Sequence, residues 1–378
     1  MIPNNVFAET LLQFFAPIRG YLDDQTVSDI VINGPSQVFV ERKGKLELTP
    51  ARFETGEDLM AALRNVAQFV GKEVDEQRPI LEARLPSGAR LQAVFPPAAP
   101  DGPHVAIRKF PKAALTAARL VDLGALTPLA ATTLHALVTA KMNIVIGGGT
   151  GSGKTSLLNA LSAFIPESER VVVIEDSKEV QLQRQHVIQL EARPPDTKGR
   201  GQVTIRDLFR ATLRMRPDRI VIGEIRGGEA LDIIQAMTSG HGGCLGTLHA
   251  THPRDTLTRL ETMSMMSNIE MPLAAMRIQI ASAVNFIVQI ARIRDGSRKV
   301  THITEVTGVD VASGSYHTQD LFVREYAREG SADTASSELV PTGALPACLP
   351  QLREHGVDLP VALYEFARQT AASARSGT

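Results

Sequence analysis

Tryptophan is absent, and aromatic residues make up only 4% of the 378-residue chain, which leaves little side-chain surface for stacking on bases. There are two cysteines, Cys244 and Cys348, far apart in sequence. That excludes a disulfide framework and a four-cysteine zinc module, and fits a reducing compartment. Charge of either sign is not in excess: 40 basic residues face 41 acidic ones, for a net charge of −1. Global attraction to nucleic acid or to anionic lipid is therefore not expected. Long apolar runs are missing as well. The stretch 271–291 is interrupted by Arg277 and Gln279 and does not read as a membrane span. Residues 1–5 show no basic region followed by an apolar core, so no signal peptide is expected. These absences point to a cytoplasmic chain that only a partner would bring to a membrane.

What is present has the length of two or three domains. Residues 1–112 alternate short strand and helix signals: strands over 27–33 and 37–41, the latter turning through Lys43-Gly44, then over 81–85, 90–95 and 105–110. Thr55 with Asp58 resembles a capping box, followed by Leu59, Leu63, Val66 and Val70 on one helical face. This predicts a small α/β domain. Residues 113–127 read as a linker. From residue 128 to 312, apolar β-rich runs at 143–146, 171–174, 220–222 and 244–247 are mostly followed by helical segments, predicting a parallel sheet covered on both faces. A C-terminal extension, 313–378, holds a polar stretch at 329–337 and a helical segment at 347–371 with a break at Gly356–Pro360. A hairpin is signalled at Asp295-Gly296.

The most informative motif is Gly148-Gly149-Thr150-Gly151-Ser152-Gly153-Lys154-Thr155-Ser156, directly after the first of these runs. A strand entering a glycine-rich turn that opens a helix is a phosphate cradle. Its backbone N–H groups converge on the ligand, and the helix N-terminus adds its dipole. Lys154 is expected to reach the β- and γ-phosphates of ATP, and the Thr155 hydroxyl to sit on Mg²⁺. The other three runs end at Glu175-Asp176, Glu224 and His249. Ligands of open α/β sheets bind beyond the carboxyl ends of the strands, so four polar clusters at four such ends predict one site. Glu224 is positioned to hold metal-bound water, to orient the attacking water, or both; Glu175 can share that work, and the sequence does not divide it between them. His241, Cys244 and His249 fall short of a metal site, and one imidazole is expected to sense the γ-phosphate. Arg206, Arg210 and Arg214 share a helical face, either salt-bridged or a subunit contact. Arg84, Arg90 and Arg108 are candidates to neutralise transition-state charge should their domain reach a nucleotide.

These residues resemble the type II/type IV secretion ATPase superfamily, and most closely the Tad/Flp (type IVb) pilus-assembly ATPases. The resemblance runs through the phosphate loop, Val173-Ile174-Glu175-Asp176, the run from Arg216 to Glu224 with Arg226-Gly227-Gly228-Glu229, and Ser239-Gly240-His241 to His249-Ala250. It extends to Ile32–Pro35, Ala83–Gly88 and Ile107–Phe110 near the start, and to Gln319–Phe322 and Pro341–Gly343 near the end. It departs at Gly242, Thr251-His252 and Ser177-Lys178, none of which removes a catalytic group. The resemblance implies a RecA-like motor domain behind a small N-terminal domain, in a homohexamer at the cytoplasmic face of the inner membrane. It also implies an inner-membrane platform protein as partner, while the near-neutral charge and scarce aromatics lead us to expect no nucleic acid. It casts Glu224 as the Walker B acid, has Glu175 help polarise water, and puts His241 and His249 in the His box. Arg84, Arg90 and Arg108 resemble N-terminal-domain arginines that reach nucleotide. A type IV secretion ATPase exporting protein or conjugative DNA is the alternative; a nucleic-acid translocase and a non-catalytic ring are weaker ones.

Overall fold

Strands buried on one face in the first unit and on both faces in the centre of the second divide this chain into two compact units, Met1–Lys112 and Ala113–Thr378. The computed structural model describes residues 11, 13–42, 44–110, 114–182, 184–195, 199–326 and 337–376, with the side chains of 374–376 outside the description. Lys43 of the expected turn, residue 113 of the expected linker and residues 329–336 of the polar stretch lie outside the described residues.

The first unit is built on β1 (Val27–Asn33), β2 (Gln37–Arg42), β3 (Lys45–Leu48), β4 (Ile80–Arg84), β5 (Arg90–Val94) and β6 (His104–Arg108). They form one sheet in the order β3-β2-β1-β6-β5-β4, with every neighbouring pair antiparallel. Period-two alternation sends Leu81, Ala83, Leu91, Ala93, Val105 and Ile107 inward. There they meet Leu59, Leu63 and Val66 of the helix Gly56–Phe69. Thr55 Oγ1 accepts from the Asp58 N–H while Asp58 accepts from the Thr55 N–H, the expected capping box.

The second unit holds a nine-stranded sheet: β7 (Ile144–Gly148), β8 (Val171–Glu175), β9 (Val187–Glu191), β10 (Arg219–Ile222), β11 (Leu245–His249), β12 (Phe286–Arg292), β13 (Arg298–Val309), β14 (Tyr316–Tyr326) and β15 (Ser337–Pro341). The order is β15-β14-β13-β12-β7-β11-β10-β8-β9. The six strands from β12 to β9 are parallel, and β13, β14 and β15 join antiparallel beyond β12. Each parallel strand feeds two cores. Ile144, Ile146, Val171 and Val173 pack on one face with the helices Pro128–Thr139 and Lys154–Ser162. Val145, Val172 and Ile174 pack on the other with Ile205–Thr212, Glu229–Thr238, Pro253–Met265 and Leu273–Ala283. Among the described residues no helix is long and apolar enough to cross a membrane.

Two expectations change here. The stretch read as linker contains a capped helix, Ala117–Asp122, and buries Leu120, Ala125 and Leu126 in the core of the second unit. Six residues are too few to show helical periodicity. Nor does the fold break at residue 312. β13 pairs with β14 across it, and Leu352 and Leu363 of the C-terminal helices Leu349–Glu354 and Val361–Ser376 join the same core. Arg324 on β14 ties this region together. Its guanidinium is buried and donates to the carbonyls of Val300 at 2.7 Å, Ser337 at 2.8 Å and Ala125 at 3.1 Å. A buried charge of this kind is tolerated only because its donors are met.

Candidate active site

The phosphate loop leaves β7 at Gly148 and enters the helix Lys154–Ser162, with Gly151 and Gly153 at φ of +68° and +95°. Those left-handed angles favour glycine. Gly148 is required for space instead: a Cβ there would stand 2.4 Å from Ser152 Oγ and 2.7 Å from the Ile290 carbonyl. Gly149 and Thr150 are exposed at the tip, and Ser156 is half-buried in the first helical turn. Lys154 Nζ donates to the Gly149 carbonyl at 3.0 Å, so the ammonium folds back over its own loop.

Strand register brings the remaining groups to this edge. His249 at the end of β11 lies opposite Gly148, and Ile222, two residues before Glu224, lies opposite Ile174, one before Glu175. His249 Nδ1 is 3.4 Å from Lys154 Nζ, and its Nε2 is 3.0 Å from Glu224 Oε1. The second oxygen of Glu224 accepts from Arg226 at 2.7 Å, and Arg226 also pairs with Asp176. Glu229, buried, accepts from the N–H groups of Arg226 and Gly227 at 2.7 and 2.8 Å and so fixes the turn that presents Arg226.

The charges follow from these contacts. Burial pushes the Glu224 carboxyl up, but the Arg226 hydrogen bond and the charges of Arg226, His249 and Lys154 outweigh it, leaving the group below its ordinary value. Burial and then the Lys154 ammonium lower His249, against the pull of Glu224, so the imidazole is neutral at pH 7. Its partners fix the tautomer: Nε2–H donates to Glu224 and Nδ1 faces the ammonium. Glu175 behaves oppositely. It is buried, which lifts its carboxyl to about 7 against the N–H groups of Glu179 and Val180, donated at 3.0 and 2.9 Å. Gly223 makes room for it, since a Cβ there would meet Glu175 Cγ at 2.8 Å.

Thr155 Oγ1 donates to Glu179 Oε2 at 3.2 Å, a carboxylate that the sequence reading missed. Hydroxyl and carboxylate oxygens at the mouth of a phosphate loop suit a hard cation such as Mg²⁺. No group of three or more His, Cys, Asp or Glu among the described residues forms a metal cluster on its own.

His241 is a correction. It precedes β11, whose first residue lies opposite Ile144 at the start of β7, so it stands at the opposite edge of the sheet from the phosphate loop. Arg206 and Arg210 both bond Asp232, at 2.6 and 2.9 Å, which makes that face salt-bridged. In the first unit Arg84 lies opposite Arg90, and Arg90 opposite Arg108. Cross-strand partners share a face, so three guanidinium groups stand in a row, offset by the pairs Arg90–Glu82 and Arg108–Asp29.

The family model described as "Type II/IV secretion system protein" matches residues 12–333. The chain belongs to this family. It is 34% identical over 282 residues to a putative conjugal transfer protein of Mycobacterium tuberculosis, covering 73% of this chain and 80% of that protein. It is 35% identical over 301 residues to the type IV secretion system protein PtlH of Bordetella pertussis, covering 73% and 88%. Among solved structures it resembles the ATPase DotB of Legionella pneumophila, with TM-score 0.55 and 22% identity over 76% of this chain and 79% of that one. The larger unit is thus a RecA-like core, as the resemblance implied.

Proposed function

We propose that this chain is an ATPase motor of a secretion or pilus-assembly machine, working as a Mg²⁺-dependent homohexamer at the cytoplasmic face of the inner membrane. The reading rests on one observation: Lys154, His249, Glu224 and Arg226 form an unbroken contact chain from the phosphate loop to a charged carboxylate. In this reading the loop N–H groups and Lys154 hold the phosphates, with the ATP γ-phosphate replacing the Gly149 carbonyl as partner of Nζ. Bound Mg²⁺ would neutralise charge on the β- and γ-phosphate oxygens, held by the Thr155 hydroxyl and, through water, by Glu224. Glu224 is ionised and half-buried, and it orients the attacking water. Glu175, saturated by backbone donors, holds the 176–180 loop and adds to that polarisation. His249 is placed to report the γ-phosphate to Glu224. The arginine row Arg84, Arg90 and Arg108 supplies positive charge to a nucleotide.

The Tad/Flp-type reading is supported by the motifs at Gln319–Phe322 and Pro341–Gly343. A type IV secretion or conjugation motor is favoured by the similarity to a putative conjugal transfer protein and to the type IV secretion system protein PtlH. Complementation decides between them: restored pilus assembly supports the first, restored conjugation or protein export the second. The ATPase reading itself is tested by measuring light-scattering mass and turnover together, with and without Mg²⁺ and a non-hydrolysable ATP analogue. A hexamer that hydrolyses ATP, with Glu224→Gln lowering kcat by about 100-fold or more while still binding nucleotide, is the expected result. Unchanged turnover in Glu224→Gln would sink it.

A further inference from the structure

Gln289 lies on β12 at 2% exposure, between apolar residues on both sides up to Ala291. Its Nε2 donates to the carbonyls of Ala250 and Thr251, at 2.9 and 3.1 Å. Those two residues directly follow His249, at the end of β11. Because β7 separates β12 from β11, the side chain has to cross the phosphate-loop strand to make these bonds. It crosses at Gly147, its register partner, where a Cβ would stand 2.4 Å from Gln289 Oε1.

Two further observations bear on the same residue. Gln289 Oε1 and Thr256 Oγ1 are both buried without a partner, and both face the Gly147 position. Leaving buried polar atoms unpaired is costly, so the side chain is not retained for core packing. The β12–β13 hairpin also grips the phosphate loop directly. Ile290 stands over Gly148 and Gly153, and Arg298 Nε donates to the Gly151 carbonyl at 3.1 Å.

We infer that Gln289 is a positioning residue for hydrolysis. It clamps residues 250–251 to the phosphate-loop strand and thereby holds His249 between Lys154 and Glu224. This rests on the ATPase reading above. The two amide donors carry the effect, since they alone reach the carbonyls, and a side chain of similar size without them keeps the volume and releases the clamp.

The test compares Gln289→Met, His249→Ala and the double variant in the full chain, with Gln289→Leu read in place of Gln289→Met if the latter does not melt cooperatively. Gln289→Met is expected to lower kcat about tenfold or more, the scale of two lost hydrogen bonds, while a fluorescent ATP analogue binds within about twofold of wild type. The double variant should be no slower than His249→Ala alone, because a residue acting through another is not additive with it. In the nucleotide-free protein, amide exchange over residues 248–252 should speed about tenfold, with 171–175 unchanged. Wild-type turnover in a folded variant, additive losses, equal loss of nucleotide binding or unaltered exchange at 248–252 would each overturn the inference. A wild-type chain that hydrolyses no ATP would refute the ATPase reading instead, and the exchange comparison would still test the clamp.

Discussion

Replacing Glu175 with Gln should stabilise the protein at alkaline pH and change nothing near pH 4. Burial lifts this carboxyl from its ordinary 4.5 to about 7, so the folded protein keeps a proton that the unfolded chain releases. The stability linked to that proton is complete below about pH 4.5 and is lost as the pH rises through about 7. A rise of about 2.5 pH units, at about 1.36 kcal/mol each, sets an upper bound of about 3.4 kcal/mol. Gln escapes the whole of it. Its Oε1 can still accept from the N–H groups of Glu179 and Val180, so the backbone anchoring survives the change. For a unit of this size that bound corresponds to a melting temperature higher by at most roughly 7–14 °C near pH 8.5. Far-UV circular dichroism is the suitable probe, since the chain has no tryptophan to report unfolding. Melts of both proteins at about pH 4, 6, 7 and 8.5 should diverge progressively, with most of the gap opening between about 4.5 and 7. An offset equal at every pH, or none at the highest, would refute the burial argument.

Arg226→Ala removes the hydrogen bond and the charge that hold Glu224 ionised against burial, so its carboxyl rises and the acid limb of the kcat–pH profile moves to higher pH. An unmoved limb would mean that another group sets it. Gly243→Ala places a Cβ 2.3 Å from Arg219 Nη1, at a backbone φ of +80°. Arg219 is buried and fixed by Glu169 and the Val138 carbonyl, so we expect a loss of about 2 kcal/mol or more in thermal or denaturant unfolding. Gly149→Ala meets nothing within 4 Å and should leave stability within about 0.5 kcal/mol.

The phosphate loop, Glu175, Glu224 and His249 were legible because each follows a short apolar run, and parallel strands deliver their carboxyl ends to one edge. His241 was misread. The run at 244–247 already lay between the two histidines, and as a strand it carries them to opposite edges; the resemblance grouped them by motif rather than by place. Glu179 could have been suspected from its place four residues after Glu175, but its bond to Thr155 joins elements that only tertiary packing brings together. Gln289 interrupts the apolar run of β12 and reads in sequence as a flaw in a core strand. Its partners are 38 and 39 residues away and on the far side of another strand. The strands beyond residue 312 were hidden by polar residues in β14, where Arg324 looks like a surface charge until its carbonyl partners are known.

Those carbonyl partners bear on how the chain would come apart. The bend at residues 311–314 offers a protease an exposed site, with Val311 66% accessible. A cut there would leave β14 zipped to β13 and its guanidinium still bonded to Val300 and Ala125. Clipping would therefore yield a nicked protein that migrates as two bands under denaturing conditions and as one particle in native buffer. Deleting the same C-terminal piece at the genetic level would instead strip the sheet of two strands and take the Arg324 guanidinium from the carbonyls of Val300 and Ala125, the latter keeping its bond from the Val300 N–H.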